Sequence, residues 1–206
     1  TLSAIDFGNV TVNPTLQQII SGVKQPTANL QNTVLEISGE MPTVVGGAPT
    51  YITTRSAKDP AVAKAEQYFY EHLQSYGLNP VYQTYPGTGV VPAARNVIAQ
   101  INGTSKPNEI VIIAAHLDNR PWGGGLAYGA DDDASGCAAL LYIAKSFAQA
   151  KATGTTFDRT IRFAFFNAEE DAPWSGSGKN FGSGFYAAGS RAANENIVAM
   201  IAADSL

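Results

Sequence analysis

Three strand-length apolar runs each carry the chain to an imidazole or a carboxylate. Ile110-Val111-Ile112-Ile113-Ala114-Ala115 leads into His116 and Asp118, Thr160 to Ala168 leads into Glu169-Glu170, and Ile197 to Ala203 leads into Asp204. Runs this short, rich in β-branched residues and almost free of charge, read as strands buried on both faces of a helix-covered sheet. In open α/β sheets the chemistry gathers just beyond the carboxyl ends of the strands. One imidazole and several carboxylates converging there suit a divalent cation, and zinc most naturally.

The rest of the composition narrows the field. With 206 residues, 45% of them hydrophobic, the chain can build one respectable core. A net charge of −4 and no basic stripe exclude a nucleic-acid partner. No apolar run approaches the roughly 20 residues that span a bilayer, so no membrane role is indicated. The single Cys137 excludes an internal disulfide within this segment and, in Gly136-Cys137-Ala138-Ala139-Leu140, reads as a small buried helix residue. Sparse lysine beside abundant Thr, Asn, Gly and Ala fits a secreted or periplasmic protein.

Residues 1–14 lack periodicity and read as a surface arm. From Leu16 to Ser38 the apolar positions recur at helical spacing with a break at Pro26, and residues 39–54, rich in Gly, Pro and Thr, read as a loop. Asp59-Pro60 then opens a helix whose core face is Val62, Ala65, Tyr68, Phe69 and Leu73, ending at Gly77. Strands are expected at 81–85 and 96–101, with 108–115 following a Lys106-Pro107-Asn108 turn as a hairpin-like start to a mixed sheet. Helices are expected over 134–150 and 182–193. The alternation in the second half predicts a three-layer αβα domain with a mixed, largely parallel sheet. Residues 1–57 would be an arm and helices packed on a domain formed by 58–206.

Three clusters carry chemistry. His116-Leu117-Asp118 has period-two spacing, so the aspartate lies on the same side as the imidazole and can orient or polarise it. Asp131-Asp132-Asp133, at the entrance to a helix, repel one another. The helix N-terminus offsets about 0.3–1 kcal/mol per charge, and a dication offsets far more. Adjacent Glu169 and Glu170 face different ways, so one can ligate a metal while the other takes a proton from water. Other signatures are missing: there is no His-Glu-x-x-His and no Gly-x-Ser-x-Gly, and Gly178-Lys179-Asn180 lacks the rest of a phosphate loop.

His116-Leu117-Asp118, Gly129-Ala130-Asp131-Asp132-Asp133-Ala134-Ser135-Gly136, Ala168-Glu169-Glu170 and Asp204 together resemble, in order and spacing, the secreted bacterial leucyl aminopeptidases, the di-zinc exopeptidases of metallopeptidase family 28. The similarity runs from about Asn96 to the end. It implies two Zn2+ ions bridged by Asp132, with His116 and Asp204 on one and Glu170 on the other. Glu169 would be the general base, Asp118 would support His116, and the Asp132–Asp133 peptide would be cis. The implied substrates are peptides with a free N-terminus.

The relatives also have a fifth ligand, a histidine downstream of Asp204. Here the only other histidine is His72, read as a helix-surface residue, so 1–206 is expected to be the amino-terminal two-thirds of a longer enzyme or one piece of a cleaved one, with a missing C-terminal portion. The loop 171–181 is longer than usual for the family and is a candidate lid. A carboxypeptidase or glutaminyl cyclase-like enzyme on the same fold, and a non-catalytic binding protein lacking the fifth ligand, are the alternatives.

Overall fold

The structure, a computed structural model, describes residues 13–24, 27–86, 94–121, 128–170 and 182–206. Of the arm expected at 1–14, residues 1–12 lie outside them, as does the candidate lid at 171–181, while Asn13 caps and Pro14 begins the first helix.

Two helices come first, α1 (Pro14–Val23) and α2 (Thr27–Ile37), followed by a small hairpin of β1 (Thr43–Val45) and β2 (Ala48–Thr50). Then come α3 (Val62–Ser75), β3 (Val81–Tyr85), β4 (Ala94–Ile101), β5 (Lys106–His116), α4 (Gly136–Ala152), β6 (Arg159–Phe166), α5 (Gly182–Ala192) and β7 (Asn196–Ala202). The sheet order is β3-β4-β6-β5-β7. Strands β5, β6 and β7 are mutually parallel, while β3 and β4 run antiparallel at one edge. Helices α3 and α4 cover one face and α5 the other, which gives three layers.

Period-two alternation along β6 builds both cores. Phe163 and Phe165 point to the α3/α4 side, where Phe165 stacks on Phe69 of α3 with ring centroids 4.5 Å apart. Ala164 and Phe166 point to the α5 side, against Ile112 and Tyr186. All five anticipated apolar residues of α3 are buried. Each large side chain fully removed from water contributes about 1.5–3 kcal/mol, so α3 is held to the sheet chiefly by Tyr68, Phe69 and Leu73.

Several expectations differ from the structure. Residues 43–50 form a hairpin rather than loop, because Gly46 and Gly47 take the left-handed conformation (φ 64° and 77°) that two-residue hairpins need. Strand β5 does not pair with β4; β6 lies between them, antiparallel to β4 and parallel to β5, with α4 as the crossover. Strand β7 is not buried on both faces. It is the edge strand, it pairs only with β5 among the described residues, and Met200 and Ile201 are 52% and 59% exposed. His72 is half-buried rather than a surface residue, its ring tilted against Tyr68. No helix among the described residues is long and apolar enough to cross a membrane.

Candidate metal centre

Strand register sets the site. His116, the last residue of β5, lies opposite Phe166 at the end of β6. The amide of Ala203 donates to the Ala114 carbonyl just past the end of β7, so the segments after all three parallel strands emerge at one level. From β5 come His116 and Asp118, from β6 Glu169 and Glu170, and from β7 Asp204.

Between β5 and α4 the chain makes a kinked turn, Ala130–Ser135, in which Asp132 and Asp133 leave helical geometry. Gly129 begins it with φ 52°, where an added Cβ would lie 2.5 Å from the Asp132 carbonyl oxygen and 2.7 Å from Arg55 Nη2. The Asp132–Asp133 peptide is cis. The kink explains why regular helix starts at Gly136 rather than Ala134. It also divides the three aspartates. Asp131 and Asp132 stay exposed, whereas Asp133 is fully buried. Asp133 accepts from the amides of His116 (3.2 Å), Gly136 (2.9 Å) and Ser205 (3.3 Å), tying together the three segments that carry His116, Asp132 and Asp204.

The imidazole Nε2 of His116 lies 2.8 Å from Asp132 Oδ1 and 3.9 Å from Asp204 Oδ1. One donor atom from each of His116, Asp132 and Asp204 lies within 4.8 Å of the other two. Zinc bonds to N and O are about 2.0–2.2 Å long, so these atoms are at a spacing that small side-chain movements close around one ion. His116 is 7% exposed, while Asp132 and Asp204 are 54% and 62% exposed, giving a buried imidazole with an open mouth of carboxylates.

The other imidazole nitrogen, Nδ1, is buried without a hydrogen-bond partner and faces Asp118 Oδ1 at 3.6 Å. That is too long for a hydrogen bond, so Asp118 acts on the ring as a charge. A histidine bound to metal through one nitrogen characteristically has a carboxylate or carbonyl at the other. This donor set therefore fits a divalent ion.

Crowding of acids shifts the local protonation equilibria. Burial lowers the proton affinity of His116, but Asp118, Asp133 and Glu169 more than reverse this and push its pKa up to about 9. Burial raises Asp133 to about 6 against the opposing His116. Burial and then the charges of Asp132 and Asp118 raise Glu170 to about 7. Glu169 is raised too, first by burial. In each case the metal-free native state holds protons more tightly than the unfolded chain, so its stability falls as pH rises. The His116 contribution is complete below about 6.5 and lost as pH passes about 9. The costs of ionising Asp133 and Glu170 appear between their ordinary values of 3.8 and 4.5 and their raised ones. The metal-free protein should thus melt at steadily lower temperature from about pH 5 to about pH 9. Saturating zinc should flatten or reverse the trend, because metal ligands must be deprotonated. Melting curves at fixed ionic strength check this, and a metal-free Tm that climbs over that range would contradict it.

Residues 96–206 match Peptidase family M28, more than half of the chain. The chain belongs to this family. Among solved structures it is similar to LapB from Legionella pneumophila (TM-score 0.67, 23% identity, 91% of this chain and 46% of that one). A leucine aminopeptidase precursor from Bacteroides thetaiotaomicron matches with TM-score 0.64 at 19% identity over 85% of this chain and 62% of its own. Porphyromonas gingivalis glutaminyl cyclase matches with TM-score 0.68 at 20% identity over 87% and 61%. At these identities the matches show the fold: an α/β domain with a mixed sheet, of the kind found in M28 peptidases. The chain spans about half to three-fifths of the length of these structures.

The structure brings His116, Asp132 and Asp204 into one cluster. It places the Glu169-Glu170 turn beside them through the backbone, since the amides of Glu169 and Glu170 donate to Asp118 Oδ1 (3.0 Å) and Oδ2 (3.1 Å). The carboxylate of Glu170 is not part of the three-residue cluster. Asp118, fully buried, therefore serves two partners, and only its approach to His116 follows from spacing. Sequence reading missed the bracing role of Asp133 and missed Arg55 altogether. Arg55 is 1% exposed and donates to the carbonyls of Leu117, Ile37, Tyr128 and Gly129. An isolated arginine in a Thr/Ser stretch gives no sequence signal of this; only the fold reveals its burial.

Proposed function

We propose that this chain carries the metal centre of a zinc-dependent exopeptidase that hydrolyses the N-terminal peptide bond of peptides. The convergence of His116, Asp132 and Asp204 beside a Glu-Glu turn at the carboxyl end of a parallel sheet carries the reading. Bound zinc would supply the Lewis acidity that polarises the scissile carbonyl and acidifies water. His116, Asp132 and Asp204 would hold one ion, and Asp132 with Glu170 would hold the second. Glu169, exposed and with a raised pKa, suits a base that takes a proton from water and later delivers it to the departing amine. Asp118 keeps His116 oriented by its charge and holds the Glu169 backbone in place. The substrate's free amino group would sit against the acidic mouth formed by Asp132, Asp204 and the glutamate pair.

A second reading, a glutaminyl cyclase-like enzyme, is favoured by the similarity to the Porphyromonas gingivalis cyclase. Against it, Asp132, Asp204 and the Glu169-Glu170 pair crowd more carboxylate charge at the mouth of the site than one dication neutralises. The zinc-loaded enzyme should release nitroaniline from leucyl nitroanilide and leave a peptide with N-terminal glutamine uncyclised. Cyclisation with loss of ammonia, without nitroanilide hydrolysis, would move the assignment to the second reading. Failure of His116→Ala and Asp204→Ala to reduce bound zinc would end both.

A further inference from the structure

The Glu169-Glu170 turn is fixed from two sides. Asp118 grips its amides, and behind it lies a buried polar ladder that the mechanism above does not use. Asn167, fully buried, follows the last residue of β6 and uses every polar atom it has. Its side-chain amide donates to Glu66 Oε1 (2.9 Å), and its Oδ1 accepts the amide of Ala168 (2.7 Å). Its own amide donates to Asn96 Oδ1 (3.0 Å), and its carbonyl accepts from the Tyr85 hydroxyl (3.0 Å) and the Gly182 amide (2.9 Å). Glu66, on α3 and 2% exposed, also accepts from the backbone amide (2.9 Å) and Nε (2.6 Å) of Arg95. The orientation of the Asn167 amide is thus set by its partners. Turned over, it would place an oxygen against the Glu66 carboxylate and an NH2 against the Ala168 N–H.

The residue between this ladder and the candidate base is under strain. Ala168 has φ 62°, a left-handed conformation that is unfavourable for a residue other than glycine. The Asn167 side chain fixes the peptide plane before Ala168 and Asp118 fixes the amide after it, so the conformation of Ala168 is set between these two anchors. Turning of the first plane would let Ala168 relax to negative φ and draw the Glu169 amide off Asp118.

We propose that Asn167, locked by Glu66, is a positioning residue that sets the place of Glu169 by fixing the peptide plane from which the left-handed Ala168 leads into the turn. This rests on the reading of Glu169 as the base, but its first test does not. Asn167→Asp keeps the acceptor for Ala168 and puts a second carboxylate oxygen against Glu66. In the metal-free protein the amides of Ala168, Glu169 and Glu170 should exchange hydrogen at least about tenfold faster, while those of Phe163 and Ala164 within β6 stay protected. In the zinc-loaded enzyme kcat should fall about 10- to 100-fold with KM nearly unchanged, the pattern of a displaced catalytic group.

Adding Glu66→Gln to Asn167→Asp supplies an NH2 donor where the two carboxylates clash, and should recover part of both losses. Unchanged exchange at the three amides, or a general loss of protection including Phe163 and Ala164, would overturn the proposal. So would the absence of any recovery in the double variant. If Asn167→Asp does not accumulate as folded protein, Glu66→Gln alone should give the same localised exchange with smaller amplitude, and unchanged exchange there is equally fatal. Full turnover in Glu169→Gln would instead remove the base assignment and leave the exchange result to decide the role of Asn167.

Discussion

Glu169→Gln is expected to cut turnover by about 10²–10⁴-fold, the usual worth of a positioned general base, while bound zinc stays at the parent level. The substitution is isosteric, and the backbone of residue 169 is held by Asp118 through an amide that the change does not touch. Its side chain is exposed and outside the His116, Asp132 and Asp204 cluster, so the metal should not notice its loss. What disappears is the one property an amide lacks, the capacity to take up a proton. Partial desolvation of the carboxylate, followed by the neighbouring acids Asp118, Asp204 and Asp132, raises its pKa against the opposing charge of His116, and the higher pKa makes it a stronger base. Asp132→Ala is the contrasting case. Asp132 Oδ1 sits 2.8 Å from His116 Nε2, within the cluster itself, so zinc and activity should be lost together. Steady-state kinetics alongside metal analysis separate the two. Activity within about threefold of the parent in Glu169→Gln would fit no general-base role, and Glu170 would become the candidate.

Much of this arrangement was legible before the fold was known, for a physical reason. Apolar strands buried in the interior must surrender polar residues at their ends, and at the ends of β5, β6 and β7 those residues are His116, the Glu169-Glu170 pair and Asp204. Helix α3 was equally plain, since Val62, Ala65, Tyr68, Phe69 and Leu73 repeat at helical spacing and all are buried. What stayed hidden depends on neighbours distant in sequence. The apolar residues of β7 do not announce an edge position, because whether a strand pairs on one side or on two depends on strands distant in sequence. The place of β6 between β4 and β5 is fixed by hydrogen bonding on both its edges, not by any local pattern. Asp133 looked equivalent to Asp131 and Asp132 until the kink of the turn sent it inward to three amides. Glu66 and Asn167 read as ordinary polar residues, yet they meet across 101 positions of chain in a buried hydrogen bond.

The largest stability effect should come from Arg55, whose substitution by methionine is expected to cost about 3–5 kcal/mol, the range for dismantling a buried charged network. Four buried or half-buried carbonyls lose their donor at once: Leu117 (2.8 Å), Ile37 (2.9 Å), Tyr128 (2.9 Å) and Gly129 (2.8 Å). Each buried carbonyl left alone costs about 1–3 kcal/mol, although Gly129 keeps the amide of Ala134 as a donor. Methionine refills part of the volume and so leaves mainly the polar deficit. For a chain of this size each kcal/mol shifts the midpoint by about 2–4 °C, so Tm should drop by about 6–20 °C.

Burial lowers the pKa of the Arg55 guanidinium, and the charges of Asp118, Asp133 and Asp132 oppose that shift. The cation is therefore a counter-charge for the acidic centre as well as a brace. Leu117 lies between His116 and Asp118, and Gly129 opens the aspartate turn, so the same substitution should loosen the metal cluster and weaken zinc binding. Arg55→Lys should fall between the two, since one ammonium retains the charge but cannot span four carbonyls that a planar fork of donors reaches. Thermal melts of the three proteins without metal, followed by zinc titrations, test both halves. An Arg55→Met protein melting within about 2 °C of the parent would mean that water or rearranged backbone satisfies these carbonyls at little cost, and that the centre is held by Asp118 and Asp133 alone.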